Sequence, residues 1–150
     1  MTVVRFLSLL FTALALAPAM AHLLELPNKI HLSRDDYLTV QQIYRGWALL
    51  GIVVVGALVS TLALAIMSRV RKGYTPALIG FLCIVGTQIV FWTFTFPANR
   101  ETMNWTVLPE HWEALRTQWE YSHAASAGLN LAAFIAVALG VLKGGEDRQG

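Results

Sequence analysis

The chain has 150 residues, of which 56% are hydrophobic and 13% are charged, and its formal net charge is +2. A soluble domain is typically about 25% charged, so this composition leaves too little polar surface for an ordinary water-soluble protein. The small charge without a basic stripe gives no support for nucleic-acid binding. The single cysteine, Cys83, excludes a disulfide framework or a cysteine-based zinc site within one chain.

Four apolar segments are long enough to cross a bilayer, at about residues 6–24, 46–68, 73–99 and 121–142. About 20 apolar residues suffice for one crossing, and each crossing must be helical because backbone groups cannot go unpaired in lipid. The sequence therefore predicts an all-α fold, a four-transmembrane-helix bundle that forms one membrane domain over residues 1–150. The predicted helices cover about 3–26, 37–70, 75–97 and 110–143, and the lipid bilayer is the first expected partner.

The first apolar segment has two interpretations. A basic start, an apolar run and the small residues at 19–21 are typical of a cleavable signal peptide. The alternative is a retained first helix that continues through His22 and Glu25 and stops near Pro27. We favour retention, because a histidine and a glutamate directly after the span resemble the end of the last predicted helix. His22 and Glu25 would share a face with Lys29 only if the helix passed Pro27.

The two middle helices carry their own local signals. The polar connection after the first segment is expected to hold a helix start capped by Ser33 or Asp35, so that the second long helix begins before the membrane. Within that helix, Gly56 and Ser60 form a small-xxx-small step, which lets a neighbouring helix approach closely. The third helix is expected to end or kink at Pro97.

The fourth predicted helix aligns five residues at three- and four-residue steps on one face: Trp112, Arg116, Trp119, Glu120 and His123. An Arg, a Glu and a His at the mouth of a membrane helix are costly unless they are paired or hydrated. They form either an aromatic belt with solvated ends or a shared polar site. Small residues then recur every fourth position and predict close packing, within the chain or in a homo-oligomer. This small-residue ridge consists of Ala124, Gly128, Ala132, Ala136 and Gly140.

The distribution of charge orients the predicted bundle. The run from Arg69 to Lys72 carries three positive charges and no acid, whereas the basic residues of the other side lie among carboxylates. The positive-inside rule therefore places both termini in the cytoplasm. All four histidines and all five tryptophans then fall at the outer end, which we expect to be the functional end. The expected location is a bacterial inner (plasma) membrane, and the mixed-charge tail over 143–150 is expected to be disordered.

Several short motifs resemble one group of membrane proteins. They are the Phe-Pro-Ala-Asn run that ends at Asn99, the Asn104-Trp105 pair, the stretches 112–116 and 119–123, and the earlier stretches 22–29 and 41–47. Together they resemble the anthrone oxygenase-like family of small four-helix membrane proteins. The resemblance implies oxidation of a small phenolic or anthrone-like aromatic substrate by dioxygen, without a metal or another cofactor. The chain departs from the commoner family ending, because 124–126 holds Ala-Ala-Ser where a basic residue is usual.

Carried over by position, the resemblance implies a catalytic set of His123, Glu120 and Arg116. His123 would act as the base, since the unperturbed pKa of histidine lies nearest neutrality. Glu120 would orient the imidazole or serve as the base itself, and Arg116 and Asn99 would hold the developing oxyanion. The tryptophans would stack on a flat substrate. The expected substrate-binding residues are His22, Glu25, Asn28, Asn99, Asn104, Trp112 and Trp119, and no metal site is expected.

Two other functions stay open at this point. His22 and His123 both lie at the outer ends of predicted helices, so they would be available as axial ligands of a haem, although the chain contains no C-x-x-C-H attachment motif. The second is a non-catalytic accessory protein that uses the small-residue ridge to bind a partner in the membrane.

Overall fold

The structure is a computed structural model that describes residues 1–146, and the described part contains helices and no strand. The helices are α1 (Thr2–Lys29), α2 (Arg34–Gln41), α3 (Gly51–Met67), α4 (Tyr74–Val90), α5 (Phe96–Glu101) and α6 (Trp112–Glu146). Four helical stretches are long and apolar enough to cross a membrane: Thr2–Lys29, Trp47–Met67, Tyr74–Glu101 and Trp112–Gly144. The predicted all-α fold with four such helices is confirmed.

Helix α1 continues through Pro27 to Lys29, one turn further than expected. The backbone closes beyond the proline, because the N–H of Ile30 donates to the carbonyl of Leu26 at 3.0 Å. A proline removes only its own donor, so helical geometry persists where the following N–H groups find partners. His22, Glu25 and Lys29 therefore lie on one face of α1.

The small-xxx-small step of α3 packs against α1. A Cβ atom on Gly56 would come within 2.6 Å of the Phe11 ring, so a larger residue here would require that ring to move. One turn later, the buried Ser8 hydroxyl donates to the carbonyl of Ser60 at 2.9 Å. Close backbone approach and interhelical hydrogen bonds are what hold helices together in lipid.

The helix predicted over about 37–70 is broken. Ser33 caps α2, whose Asp36 N–H donates to the Ser33 hydroxyl at 3.3 Å, as expected. The chain then passes through a short 3₁₀ turn and reaches Gly46, which has a φ of 89°. This left-handed conformation is incompatible with a continuing right-handed helix. α2 is thus a separate helix that covers one end of the bundle, and Tyr37 on α2 packs there in a core with Trp105 and Trp119.

The third membrane helix runs through Pro97 instead of ending there. A five-residue π-helical turn, Phe91–Thr95, joins α4 to α5, and the N–H of Phe96 donates back to the carbonyl of Phe91. The wider turn accommodates the proline, which cannot donate and whose ring would crowd a regular α-turn. The Thr95 hydroxyl meets the Ser122 hydroxyl of α6 at 2.8 Å, so this turn is also tied to the last helix.

The small-residue ridge on α6 divides into two parts. Ala136 and Gly140 are buried, and a Cβ atom on Gly140 would lie 3.2 Å from the backbone nitrogen of Ala77 in α4. Gly128 and Ala132 are exposed. Of these two parts, only the one with Ala136 and Gly140 packs inside the chain. α6 itself extends to Glu146, so the first residues of the tail expected to be disordered are helical; positions 147–150 lie outside the described residues.

Candidate functional site

Polar side chains from three parts of the chain meet beneath α2, at the end of the bundle opposite to Thr2. We call this group the polar cluster. It consists of His22, Glu25 and Lys29 from α1, Tyr37, Gln41 and Tyr44 from α2 and the turn after it, and Glu120 and His123 from α6. Such groups are costly in a membrane protein unless they satisfy one another, and most of them do so here.

Lys29 lies at the centre of the polar cluster. Its Nζ atom is 3.1 Å from Oε1 of Glu120 and 3.7 Å from Oε2 of Glu25, and it donates to the Tyr44 hydroxyl oxygen at 2.7 Å. The Lys29 residue is 4% exposed and Glu120 is 0% exposed. A buried ion pair of this kind persists only with additional hydrogen bonds around it, and the tyrosines supply them.

Two tyrosine hydroxyls hold the carboxylates. The Tyr37 hydroxyl donates to Oε1 of Glu120 at 2.9 Å and accepts from Nε2 of Gln41 at 2.5 Å. The Tyr44 hydroxyl donates to the Glu25 carboxylate. Burial, together with the neighbouring Glu120 carboxylate, raises the pKa of Tyr37 far above its usual value, and burial with the hydrogen bond to Glu25 does the same for the pKa of Tyr44. Both phenols therefore remain protonated donors.

The two histidines are stacked in an aromatic enclosure. The His22 and His123 ring centroids are 4.0 Å apart at an interplanar angle of 28°. Edges of Trp119 and Trp47 contact His22, at centroid distances of 5.1 and 5.4 Å, and Trp119 lies 4.2 Å from His123. In the part of the chain that the structure describes, Nδ1 of His22 has no hydrogen-bond partner; its distance to the Glu25 carboxylate is 4.0 Å.

This stacking does not fit a haem held by both histidines. A porphyrin would have to lie between the imidazoles, with a ring nitrogen of each directed at the iron. The two ring faces are instead already within the van der Waals contact distance of about 4 Å. Among residues 1–146, no group of three His, Cys, Asp or Glu side chains is placed to hold a metal ion.

No protein-family model, curated protein or solved structure matches this chain. The resemblance to anthrone oxygenase-like proteins stays a prediction that depends on the motifs themselves.

The structure brings most of the expected site residues together. His22, Glu25, Glu120 and His123 belong to the polar cluster. Trp119 forms one wall, and Asn99 fixes it from behind, because Oδ1 of Asn99 accepts from the indole nitrogens of Trp119 at 2.8 Å and of Trp105 at 3.2 Å. Asn99 thus contacts tryptophans and not the buried carboxylate.

Four expected site residues lie elsewhere: Arg116, Trp112, Asn28 and Asn104. The Arg116 guanidinium donates to the carbonyl of Leu32 at 2.8 Å and stacks on Trp112, 4.5 Å from the ring centroid. One turn before Glu120, it faces the connection between α1 and α2, and Lys29 is the cation beside Glu120. Asn28 and Asn104 are exposed. Asn104 lies in a left-handed turn with a φ of 56°, which directs it away from the bundle end.

The predicted site residues did not include Lys29, Tyr37, Gln41, Tyr44 or Trp47, although Lys29 was expected on the face of His22 and Glu25 if the helix passed Pro27. The sequence did contain a sign of the Lys29 contact, because Lys29 follows Glu25 by four residues and side chains at that spacing meet on a helix. Tyr37, Gln41 and Tyr44 also recur at steps of four and three, which is the spacing of one helical face. Neither spacing identifies the opposite helix that the face contacts.

Two shallow cavities lie near this end of the bundle. One, of about 280 Å³, is lined among the described residues by Leu38, Thr39, Gln42 and Thr106. The other, of about 230 Å³, lies on the flank beside the π-helical turn and is lined by Val90, Phe94, Tyr121, Ser122 and Ala125. None of these lining residues belongs to the polar cluster. Tyr44, Trp47 and Trp119 pack directly against the His22 ring, and His123 retains partial exposure.

Proposed function

We propose that this chain is an integral membrane oxygenase that oxidises a phenolic or anthrone-like aromatic without a bound cofactor, at the polar cluster. The observation that supports this best is the stacked pair His22 and His123, which lies in an aromatic enclosure beside a buried lysine and carboxylate. The pair supplies a base, the enclosure supplies flat apolar contacts, and Lys29 supplies a positive charge near the site.

The reaction needs only a base and dioxygen. An imidazole removes a proton from the activated CH₂ carbon of the substrate, and the resulting carbanion transfers its electrons to dioxygen and forms a carbon–oxygen bond. The peroxide that results takes up the proton and loses water to give a carbonyl group. The sum is R₂CH₂ + O₂ → R₂C=O + H₂O, in which the substrate is oxidised and dioxygen is reduced. A positioned base contributes about 10²–10⁴-fold to such a proton transfer.

We assign the roles differently from the expectation based on the sequence motifs. His123, which is partly exposed, is the base, and Glu120 positions Lys29 rather than the imidazole. Lys29 takes the electrostatic role expected of Arg116, because a cation in a water-poor site stabilises developing negative charge. Trp119 and Trp47 contact the aromatic rings of the substrate. An apolar aromatic would reach His123 from the bilayer.

The same proposal includes the location. We place the chain in a bacterial plasma membrane with both termini in the cytoplasm, because the basic run from Arg69 to Lys72, whose sequence contains no acidic residue, follows α3. The polar cluster then lies at the outer leaflet.

The test is dioxygen consumption by the purified protein in bilayers with anthrone as the substrate. His123→Ala is expected to lower turnover by about 100-fold or more, since it removes the base. His31→Ala is the matched control, because His31 is exposed and lies in the connection after α1; it should retain wild-type turnover. Equal turnover by wild type and His123→Ala would end the assignment of the base. If the wild type consumed no dioxygen with any anthrone or phenol, the accessory function through exposed Gly128 and Ala132 would replace the enzyme.

A further inference from the structure

We infer that Lys29, Tyr44 and Glu25 form a relay that carries a proton from the buried Glu120 carboxyl group to the surface of the bundle. The four groups are in sequential contact. Nζ of Lys29 is 3.1 Å from Glu120 and donates to the Tyr44 hydroxyl at 2.7 Å, and that hydroxyl donates to Glu25. Each link is within proton-transfer distance.

Exposure increases along the relay. The Glu120 side chain is 0% exposed, that of Lys29 is 5% exposed and that of Glu25 is 34% exposed. Glu25 also lies one turn before the end of α1, and the 28 residues of this helix span about 42 Å at the usual rise. The hydrocarbon core of a bilayer is only about 30 Å thick. The last turns of α1 therefore lie at the headgroup level, where water reaches the Glu25 carboxylate.

The hydrogen bonds point outward, from Lys29 to Tyr44 and from Tyr44 to Glu25. Lys29 gives a proton to the Tyr44 oxygen while Tyr44 gives its own proton to the Glu25 carboxylate. The Glu120 carboxyl group then rotates to bring its protonated oxygen to the neutral Lys29 amine, which accepts that proton. One proton has moved from Glu120 to Glu25, Lys29 is an ammonium group again and Tyr44 is a neutral phenol. No electrons are transferred, so no oxidant or reductant is involved.

The relay begins at the buried Glu120 carboxyl group, which must first hold the proton. In the structure of residues 1–146, Oε2 of Glu120 has no hydrogen-bond partner, which is rare for a fully buried carboxylate oxygen. This oxygen is available to accept a proton, while Oε1 keeps its contacts with Lys29 and Tyr37. The titratable groups that surround it are His22, Glu25 and Lys29 of α1, Tyr37 and Tyr44 around α2, and His123 of α6.

Tyr37 also contacts Glu120 but does not connect it to the surface of the bundle. Its hydroxyl also bonds Glu120, but its other partner is Gln41, and over the described residues Oε1 of this amide has no hydrogen-bond partner. A proton on Glu120 therefore has an outward route through Tyr44 and none through Tyr37. Tyr37 bonds Glu120 and Tyr44 bonds Lys29, so each tyrosine contacts one member of the same ion pair. The two phenylalanine variants therefore form a matched pair.

The experiment measures isotope exchange at Glu120 by infrared spectroscopy of the protein in lipid bilayers. The carbonyl stretch of protonated Glu120 is assigned as the band lost in Glu120→Gln, and its shift is followed after a change from H₂O to D₂O. Tyr44→Phe should slow the shift by about tenfold, because it breaks the hydrogen-bond chain between Lys29 and Glu25; this corresponds to a barrier about 1.4 kcal/mol higher. Glu25→Gln should slow it similarly, because it removes the acceptor at the surface. Tyr37→Phe should exchange at the wild-type rate.

Three results would overturn the relay. They are wild-type exchange in both Tyr44→Phe and Glu25→Gln, equal slowing in Tyr37→Phe, and the absence of any band assignable to Glu120 at every pH at which the protein stays folded. Helix content from the amide band checks each variant, and Glu25→Gln decides the matter if Tyr44→Phe does not fold. The relay does not depend on the proposed oxidation, because exchange is measured without substrate.

Discussion

The lysine side chain at position 29 is buried between two carboxylates, in a helix long enough to cross a membrane. Replacing one member of a buried ion pair leaves the other charged and unpaired, which costs about 3–5 kcal/mol. We expect Lys29→Met, which keeps the length of the side chain, to lower the free energy of unfolding in detergent by about this amount. The measurement is denaturant-induced unfolding followed by circular dichroism.

Two controls separate the ion pair from general damage at this position. Lys29→Met combined with Glu120→Leu should recover most of the loss, because the fully buried carboxylate is removed together with its partner and the remaining carboxylate, Glu25, is 34% exposed. Glu101→Gln removes the exposed ion pair with His111, in which the closest atoms are 2.5 Å apart, and should change stability by no more than about 1 kcal/mol. A double variant as unstable as Lys29→Met would show that the lysine contributes through packing.

Individual site residues were predictable only in part. Helical spacing correctly groups Glu120 with His123, and His22 with Glu25, because a face follows from 3.6 residues per turn. The same spacing groups Arg116 with Glu120, yet Arg116 turns to a backbone carbonyl. The hydrogen-bond partner of Arg116 depends on which chain segment lies opposite its side chain. That information is tertiary, and one sequence does not contain it.

Among the elements, the break before α3 contains one residue in the left-handed region. Gly46 adopts a φ of 89°, and a side chain in the left-handed region costs roughly 1–2 kcal/mol. Gly46→Ala should therefore destabilise the protein by about 1 kcal/mol. Gly51→Ala is the matched control, since a Cβ atom at either position has no neighbour within 4 Å and Gly51 has a helical φ of −53°. Alanine should be neutral or stabilising there.

The comparison is made by thermal unfolding of both variants in the same detergent. If both alanines have the same effect, the left-handed conformation of Gly46 does not control the break.

Helix existence was predictable from apolar length, whereas helix boundaries were not. The sequence pattern predicted a continuous helix through Gly46, but the helix is broken there. The pattern predicted a helix end near Pro97, but Pro97 lies inside a helix. The first depends on α2 packing over the bundle end, and the second on a wider turn that absorbs the proline.

For the whole molecule, the contrast between the two ends of the bundle leads to the last prediction. The polar cluster lies under α2 at one end, and the basic run that follows α3 lies at the other. In a background with Cys83→Ser, an added cysteine at Thr106, which is exposed beside α2, should react with a membrane-impermeant thiol reagent in intact cells. An added cysteine at the exposed Arg71 should react only after permeabilisation, because positively charged loops stay in the cytoplasm. Both variants should react fully in detergent, which checks that each thiol is accessible. The reverse labelling pattern would place the polar cluster at the cytoplasmic leaflet, and the relay would then release its proton into the cytoplasm.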